Sequence, residues 1–266
     1  MVLQAHEGVL TSSVSFPRVL VATAVPAERD AVARALTSAP PDATRLPAAT
    51  VHRVAAPGAS GAEGPGSGFG LLAAGVGPAR AAASTAAALT AAVLDGAPYD
   101  LVVCAGIAGG FLPEAPVGSL VVADEVTVAD LGAETADGFV PVTELGFGTV
   151  THRPPGHLVR TAAAATGAAT GTVLTVSTVT GTAARAAALR ERHPRALAEA
   201  MEGFGVAEAA AAHGVPVLEL RAVSNAVGPR DRAAWRIGDA LTALTEGFGK
   251  LAAALESWNA HEPAES

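Results

Sequence analysis

Short runs of apolar residues alternate along the chain with Ala-rich segments, and this alternation constrains the fold more than any other feature. The run at 18–24 shows no polar alternation, and further strand-like runs lie at 70–74, 99–104, 172–178 and 215–223. Such runs are typical of strands that are buried on both faces of a parallel sheet. We therefore predict an α/β fold: a single-domain three-layer sandwich, with a central mixed, mostly parallel twisted sheet flanked by helices.

The segments between these runs are predicted to be mostly helical. The first helix contains Pro26 in its first turn, a position that proline favours. Further helices are predicted at about 79–94, 160–166, 183–192, 199–213 and 239–258, and a further apolar run spans 117–128. Residues 130–157 contain many glycines and prolines and are predicted to be irregular, and the Gly/Pro/Ser-rich segment 57–68 is predicted to be a flexible hairpin tip.

The chain of 266 residues is long enough to bury a large core. Because no repeat and no wide linker divides it, we predict one catalytic domain over 18–258, with a disordered leader at 1–17 and a C-terminal tail at 259–266. Mean hydropathy is +0.39, largely from alanine, and no charge-free apolar run approaches the length of a membrane span. The N-terminus lacks the basic region of a signal peptide. A cytoplasmic protein without membrane contact is expected.

Charge and cysteine content exclude further classes of function. The net charge is −8, Lys250 is the only lysine, and the arginines form no basic stripe, so nucleic acid is not an expected partner. The single cysteine, Cys104, lies in an apolar run and is predicted to be a buried strand residue in a reducing compartment. The seven histidines show no metal-ligand spacing. No metal and no organic cofactor are expected.

Two glycine motifs each follow a predicted strand. The first is Gly75-Val76-Gly77, and the second is Gly106-Ile107-Ala108-Gly109-Gly110. Ligands bind at the strand ends of open α/β sheets, where glycine lets backbone amides approach closely. Each motif alone could be an ordinary tight turn, but two in succession favour a ligand site. Neither fits a dinucleotide fingerprint or a P-loop. The candidate binding residues are Gly75, Val76, Gly77, Ile107, Ala108 and Gly109.

Two glutamates and one amide are the candidate polar groups of this site. Glu28 begins a helix directly after the first strand, and its position at the carboxyl edge of the sheet makes it a candidate. In isolation, a surface glutamate stabilised by the helix dipole would be the favoured interpretation. Glu202 follows Met201 at the start of an Ala-rich helix, and burying it there is costly unless it meets donors. Asn225 follows Ser224 at the end of the run 215–223, where an ordinary turn is the alternative.

A charged segment, Arg230-Asp231-Arg232, follows this amide. It could be a surface ion-pair network. It could also bind a substrate carboxylate, since guanidinium groups bind carboxylates in a bidentate manner. The sequence leaves these two possibilities open.

The order of these motifs resembles that in the nucleoside phosphorylase and methylthioadenosine/S-adenosylhomocysteine nucleosidase superfamily, over about 18–256. A narrower resemblance, to the futalosine hydrolases within it, is carried by loops that face the substrate. These loops are 129–134, 138–141, 145–148, 177–182, 224–225, 228–232 and 235–237. The resemblance implies a nucleoside phosphorylase-like fold, a small-molecule nucleoside substrate and a homo-oligomer.

The resemblance also implies roles for the polar candidates. Glu28 matches the carboxylate that activates water, and Glu202 matches the one that holds the ribose hydroxyls. Asn225 stands where adenine-specific members have Asp. A neutral amide can donate to O6 of hypoxanthine and accept from a protonated N7, which an ionised carboxylate cannot do. The implied reaction is release of hypoxanthine from futalosine, in the alternative route to menaquinone.

Further substrate contacts are implied by the same resemblance. Met201, Thr180, Gly181 and Thr182 would pack around base and sugar, and either Arg230 or Arg232 would meet the substrate carboxylate.

No phosphate cage is evident, since the segment after Cys104 offers Ala105, Ile107 and Ala108, and Arg80 is predicted to lie inside a helix. Water is therefore the expected nucleophile. An aminofutalosine or methylthioadenosine nucleosidase, a phosphorylase and a catalytically silent nucleoside binder remain alternatives. Ala200 replaces a glutamate of the nucleosidases, so ribose contacts could differ in detail.

Overall fold

A computed structural model describes residues 16–39, 41–47, 49–55, 67–256 and 258. The predicted tail at 259–266 lies outside these ranges. So do residues 1–15 of the predicted leader and most of the predicted hairpin tip, 57–66.

Twelve strands are present in the described ranges. In chain order they are β1 (Arg18–Thr23), β2 (Asp42–Arg45), β3 (Thr50–Val54), β4 (Gly68–Ala73), β5 (Leu101–Gly110), β6 (Leu120–Val128), β7 (Gly132–Thr135), β8 (Gly138–Pro141), β9 (Thr151–His152), β10 (Ala169–Thr175), β11 (Ala196–Ala200) and β12 (Val217–Ala226). Ten form the central sheet, in the order β11-β10-β6-β12-β5-β1-β4-β3-β2 with β9 added beside β6. β7 and β8 form a separate ribbon.

The sheet is mixed, as predicted. β1 lies parallel to β4 and β5, β5 to β12, and β10 to both β6 and β11. β12 is antiparallel to β6, and the far end of β5 pairs antiparallel with β11. The carboxyl ends of β1, β4, β5 and β12 therefore meet at one edge, where ligands bind in such sheets.

Six α-helices in the described ranges cover the two faces of the sheet. They are α1 (Pro26–Leu36), α2 (Pro78–Leu94), α3 (Gly156–Thr166), α4 (Ala183–Arg192), α5 (Gly203–Ala212) and α6 (Ile237–Leu255). Along β1, Leu20 and Ala22 belong to the core cluster that contains α2 and α5 residues, whereas Val19 and Val21 belong to the cluster that contains α1 and α6 residues. Both faces of the strand are buried, which explains its unbroken apolar sequence.

The predicted three-layer α/β fold is confirmed, and three local predictions were wrong. The segment 106–110 is part of β5 instead of a turn, because the sheet continues through it and pairs with β12 and β11. The predicted helix 199–213 is divided into β11 and α5. The region 130–157 contains the ribbon β7–β8 and strand β9.

No helix in the described part of the chain is both long and apolar enough to cross a membrane.

Candidate active site

Glu28 lies in the first turn of α1, at the carboxyl edge of the sheet. Its Oε2 accepts hydrogen bonds from the backbone N–H groups of Ala24 (2.9 Å) and Val25 (3.2 Å). Its Oε1 accepts from the backbone N–H of Ile107 (2.8 Å), so the side chain ties α1 to β5. The residue is only 3% exposed. Because every described partner is a donor, the surroundings suit an ionised carboxylate.

The pKa of Glu28 reflects opposing effects. Burial raises the pKa above the ordinary glutamate value, while the positive charge of Arg221 and the hydrogen bond from Ile107 lower it. The nearby charge of Glu202 raises it again. The net shift is upward, which brings the carboxylate closer to the basicity that a general base needs.

Glu202 is the residue immediately before α5, and it is also buried. Its Oε1 accepts from the backbone N–H of Gly77 (3.2 Å), and its Oε2 accepts from that of Met201 (3.3 Å). Gly75 and Gly77 have φ angles of 99° and 89°, so the first glycine motif is a genuine turn in a conformation that favours glycine. The turn places the backbone N–H of Gly77 within hydrogen-bonding distance of Glu202, which lies 125 residues further along the chain.

Sequence reasoning assigned no role to Arg221, which is fully buried in β12 beside both carboxylates. Its Nη2 lies 3.5 Å from Glu202 Oε2, and its Nε donates to Glu219 Oε1 at 2.8 Å. The alternating charges of Glu219 and Arg221 in an otherwise apolar strand were the available signal, since alternate residues share one face. We call Glu28, Glu202, Glu219 and Arg221 the reaction-centre cluster.

Gly106 shows why β5 carries glycine beside this cluster. A Cβ at that position would lie 2.6 Å from Glu28 Oε1 and 2.7 Å from Arg221 Nη1. The missing side chain therefore leaves space for the carboxylate and the guanidinium on one face of the sheet.

Cys104 is buried in β5, as predicted. Its Sγ accepts a hydrogen bond from Arg221 Nη2 (3.2 Å). Burial raises the pKa of this thiol well above its ordinary value, so it is a poor nucleophile.

The other end of the site lies around Asn225, the penultimate residue of β12. Its Oδ1 accepts from the Ser224 hydroxyl (2.8 Å), and its Nδ2 donates to the Ala226 carbonyl (3.0 Å). The Ser224 hydroxyl also lies 3.2 Å from the Ala108 carbonyl, which ties this end of β12 to β5. One Nδ2 hydrogen of Asn225 remains for a ligand.

A pocket opens beside this amide. Its lining includes Gly109, Thr180, Glu199, Asn225 and Arg230. Gly181 lies beside Arg230, whose backbone N–H donates to the Gly181 carbonyl (3.2 Å). We call this group of residues the base-end pocket.

Of the two candidate arginines, Arg230 lines the pocket, and Arg232 lies beside it against the lining residue Trp235. Arg230 and Arg232 stack over the Trp235 ring, with guanidinium carbons 5.2 and 5.7 Å from its centroid. Asp231 instead accepts from the backbone N–H of Ala233 (3.0 Å). Within the described ranges no ion pair joins Asp231 to either arginine, which removes the simplest form of the surface-network alternative.

The structure therefore brings most of the candidates to one edge of the sheet. Two lie further out: Val76 is 55% exposed, and Thr182 is exposed and accepts from Arg185 N as the cap of α4. Among the described residues no three His, Cys, Asp or Glu side chains are grouped so that they could hold a metal ion.

Comparison with known proteins places this arrangement in a class. A family model described as the phosphorylase superfamily matches residues 65–256. The structure of a methylthioadenosine/S-adenosylhomocysteine nucleosidase from Colwellia psychrerythraea, determined in complex with adenine, has the same fold. It superposes with a TM-score of 0.73 at 22% identity, covering 91% of this chain and 96% of that one.

Two further relatives are narrower. A futalosine hydrolase from Streptomyces coelicolor is 75% identical over 243 residues, covering 91% of this chain and 98% of that protein. The structure of a futalosine hydrolase from Helicobacter pylori superposes with a TM-score of 0.70 at 16% identity, covering 90% and 97% of the two chains. The chain therefore belongs to the phosphorylase superfamily and, within it, to the futalosine hydrolase family.

Proposed function

We propose that this protein hydrolyses the N-glycosidic bond of futalosine, releasing hypoxanthine in the alternative menaquinone pathway. The observation that carries the proposal is the pair of buried carboxylates, Glu28 and Glu202, facing Arg221 at the carboxyl edge of the sheet. A nucleoside has a cleavable bond between a sugar that becomes cationic and a base that becomes anionic. Carboxylates stabilise the positive charge on the sugar, and an amide can donate a hydrogen bond to the departing base.

In this proposal Glu28 orients a water molecule on the face of the sugar opposite the base. The water oxygen forms a bond to C1′ as the bond from C1′ to N9 breaks, and the water proton passes to the Glu28 carboxylate. The bonding pair leaves with the purine, which takes a proton from solvent at N7. The upward-shifted pKa of Glu28 supports its role as acceptor of the proton.

Glu202 would accept hydrogen bonds from the ribose hydroxyls. Its Oε1 accepts from Gly77 and retains a second lone pair, whereas Oε2 accepts from Met201 and also faces Arg221 Nη2 at 3.5 Å. The interaction strengthens as positive charge develops on the sugar, which is what transition-state stabilisation requires.

Asn225 would bind the departing base. Its free Nδ2 hydrogen can donate to O6, and its Oδ1 can accept from a protonated N7. Arg230 or Arg232 would bind the carboxylate at the far end of futalosine. Their position in or beside the pocket, stacked on Trp235, supports that role.

Water is the proposed nucleophile because the segment after Cys104 offers Ala105, Ile107 and Ala108, none of which has a side chain that binds phosphate. The expected homo-oligomer and the cytoplasmic location stay predictions, which gel filtration with light scattering and cell fractionation would test.

The proposal is tested by incubating the purified protein with futalosine, aminofutalosine, methylthioadenosine and inosine, each with and without phosphate. Release of hypoxanthine from futalosine, independent of phosphate and much faster than from inosine, is the expected result. Release of adenine would move the assignment to the aminopurine nucleosidases, and dependence on phosphate would move it to the phosphorylases. No release from any substrate would contradict an enzymatic role.

A further inference from the structure

We propose that Glu199 selects the base, by accepting a hydrogen bond from N1–H of a 6-oxopurine opposite Asn225. The inference rests on the proposed function in taking a purine nucleoside as the ligand. It adds a specificity-determining residue that the sequence analysis placed in a helix and gave no role.

The position of Glu199 in the sheet supports this role. Strand β11 pairs antiparallel with the end of β5, so that Glu199 lies opposite Gly109, and Asn225 on β12 lies beside Gly109 from the other side. Residues opposite one another in neighbouring strands project from the same face. Glu199 and Asn225 therefore flank a position that carries no side chain, and both line the base-end pocket.

Gly109 lets the side chains of Asn225 and Val227 lie close against β5 at this point. A Cβ there would lie 3.3 Å from Asn225 Nδ2 and 2.9 Å from Val227 Cγ2. The lining of the base-end pocket thus carries an amide from β12 and a carboxylate from β11, the two kinds of group that can bind the edge of a 6-oxopurine.

Glu199 retains capacity for a ligand. The residue is 6% exposed, and its Oε1 and Oε2 accept from the backbone N–H (2.7 Å) and the hydroxyl (2.5 Å) of Thr180. Each carboxylate oxygen has two lone pairs, so each can accept one further hydrogen bond. Burial raises the pKa of Glu199 above the ordinary glutamate value, and the two hydrogen bonds from Thr180 offset part of that rise. The bond from the Thr180 backbone N–H fixes the orientation of the carboxylate, and it does not depend on the Thr180 side chain.

The chemistry of the two purine classes makes this carboxylate discriminating. A 6-oxopurine carries a hydrogen on N1, which an ionised carboxylate accepts in a charge-assisted hydrogen bond. A 6-aminopurine has a lone pair on N1, which would face the carboxylate oxygen and leave both groups unpaired. An unpaired buried polar group costs about 1–3 kcal/mol, or roughly 5- to 150-fold in affinity.

A purely structural role for Glu199 is the competing explanation, because the same carboxylate holds Thr180 in the loop before α4. The variant Glu199→Gln separates the two explanations. Its amide oxygen can still accept from the Thr180 N–H, and its amide nitrogen can donate to the Thr180 hydroxyl. The loop keeps its anchor while the acceptor-only character is lost. The variant Thr180→Val is the matched control, since it removes the hydroxyl contact and leaves the carboxylate.

The test is calorimetric binding of free hypoxanthine and free adenine to the wild-type protein, Glu199→Gln and Thr180→Val. We expect wild type to prefer hypoxanthine, Glu199→Gln to shift the affinity ratio at least about 5-fold toward adenine, and Thr180→Val to leave the ratio within about 2-fold. An unchanged ratio in Glu199→Gln would overturn the inference. Equal shifts in both variants would also overturn it, in favour of a loop anchor.

Binding of free bases needs no turnover, so the two proposals can fail separately. If the wild-type protein releases hypoxanthine from futalosine, but the ratio of hypoxanthine to adenine affinity is unchanged in Glu199→Gln, the proposed function stands and the role of Glu199 in base selection is refuted. If the protein does not cleave futalosine, but the ratio of hypoxanthine to adenine affinity shifts in Glu199→Gln alone, the proposed function is refuted and the role of Glu199 in base selection stands.

Discussion

The two ends of the candidate site are built in different ways. In the reaction-centre cluster, Glu28 and Glu202 are 3% and 4% exposed, and they are held by backbone amides and by a fully buried arginine. In the base-end pocket, Asn225 and Thr180 are partly exposed and Arg230 lies on the surface. The residues of the first group are tied to strands and helix starts, whereas several of the second lie on loops.

Because the two ends differ in burial, we expect one to control turnover and folding and the other to control selectivity. Charges buried together depend on one another for stability, so changes in the reaction-centre cluster should affect both rate and folding. Residues on loops at a pocket rim contact the ligand with less consequence for the core. Changes in the base-end pocket should therefore alter selectivity and leave folding nearly intact.

The largest expected effect is that of Glu28→Gln on turnover. The amide cannot take a proton from water, and loss of a general base costs about 10²- to 10⁴-fold in kcat. The amide also presents its NH₂ to backbone donors that now meet a carboxylate. Steady-state release of hypoxanthine from futalosine measures the loss. The exposed Glu246 on α6 gives a matched control, Glu246→Gln, which should keep full activity. Near-complete activity in Glu28→Gln would refute the water-activating role.

The second largest effect is expected on the stability of the reaction-centre cluster. Arg221→Met should lower the free energy of unfolding by about 3–5 kcal/mol, because Glu202 and Glu219 then remain buried without their cation. Urea denaturation measures the change. A loss below about 1 kcal/mol would contradict the view that the cluster supports folding.

A double variant tests the origin of that loss. Arg221→Met combined with Glu219→Gln removes one of the uncompensated carboxylates, and it should recover part of the lost stability. Arg232→Ala, beside the pocket, serves as the comparison and should change the unfolding free energy by about 0.5 kcal/mol or less.

A smaller effect is expected at the base end. Asn225→Asp should shift the ratio of kcat/KM for aminofutalosine over futalosine upward, by about 10-fold or more, since the carboxylate repels O6 and can carry a proton to N7 of adenine. Parallel assays of the two substrates give the ratio, with thermal unfolding as the check on folding. If the ratio does not move, the amide is not the group that reads the base.

The smallest effect concerns pH. Glu28 must be ionised to accept a proton, and its pKa lies above the ordinary glutamate value. Turnover should therefore fall as the pH falls through that raised pKa. A carboxyl group whose pKa rises on folding stabilises the folded protein at acidic pH, and this stabilisation disappears as the pH rises. Protonation of Glu28 therefore lowers turnover without unfolding the protein.

The measurement is kcat against pH, with circular dichroism at each pH to establish that the protein stays folded. If kcat falls only at a pH at or below the ordinary glutamate pKa, the upward shift in the pKa of Glu28 is contradicted.

Much of the fold could be predicted from local sequence. Strand β1, helix α2 and helix α4 match their predicted bounds closely, because each has a clear local pattern. The burial of Cys104 followed from the same apolar runs. The prediction of 106–110 as a turn failed because glycine is typical both of turns and of strands that other side chains cross closely. Only the neighbours of Gly106 distinguish the two.

The candidate site was predictable only in part. Glu28 was identified because it follows the first strand at the carboxyl edge of the sheet, and Glu202 because a carboxylate among apolar residues needs hydrogen-bond donors. Arg221 and Glu199 received no role, since their importance depends on what lies opposite them in neighbouring strands.

The sequence by itself determined the alternation of strands and helices, the buried strand residues and the carboxylates that open two helices, because each depends on neighbours within a few residues. The tertiary structure decided which groups meet. The Glu28 carboxylate bonds to an amide 79 residues away, and Glu202 to one 125 residues away. Such contacts are set by strand order and register, which arise from packing of the whole sheet and leave no local pattern in the chain.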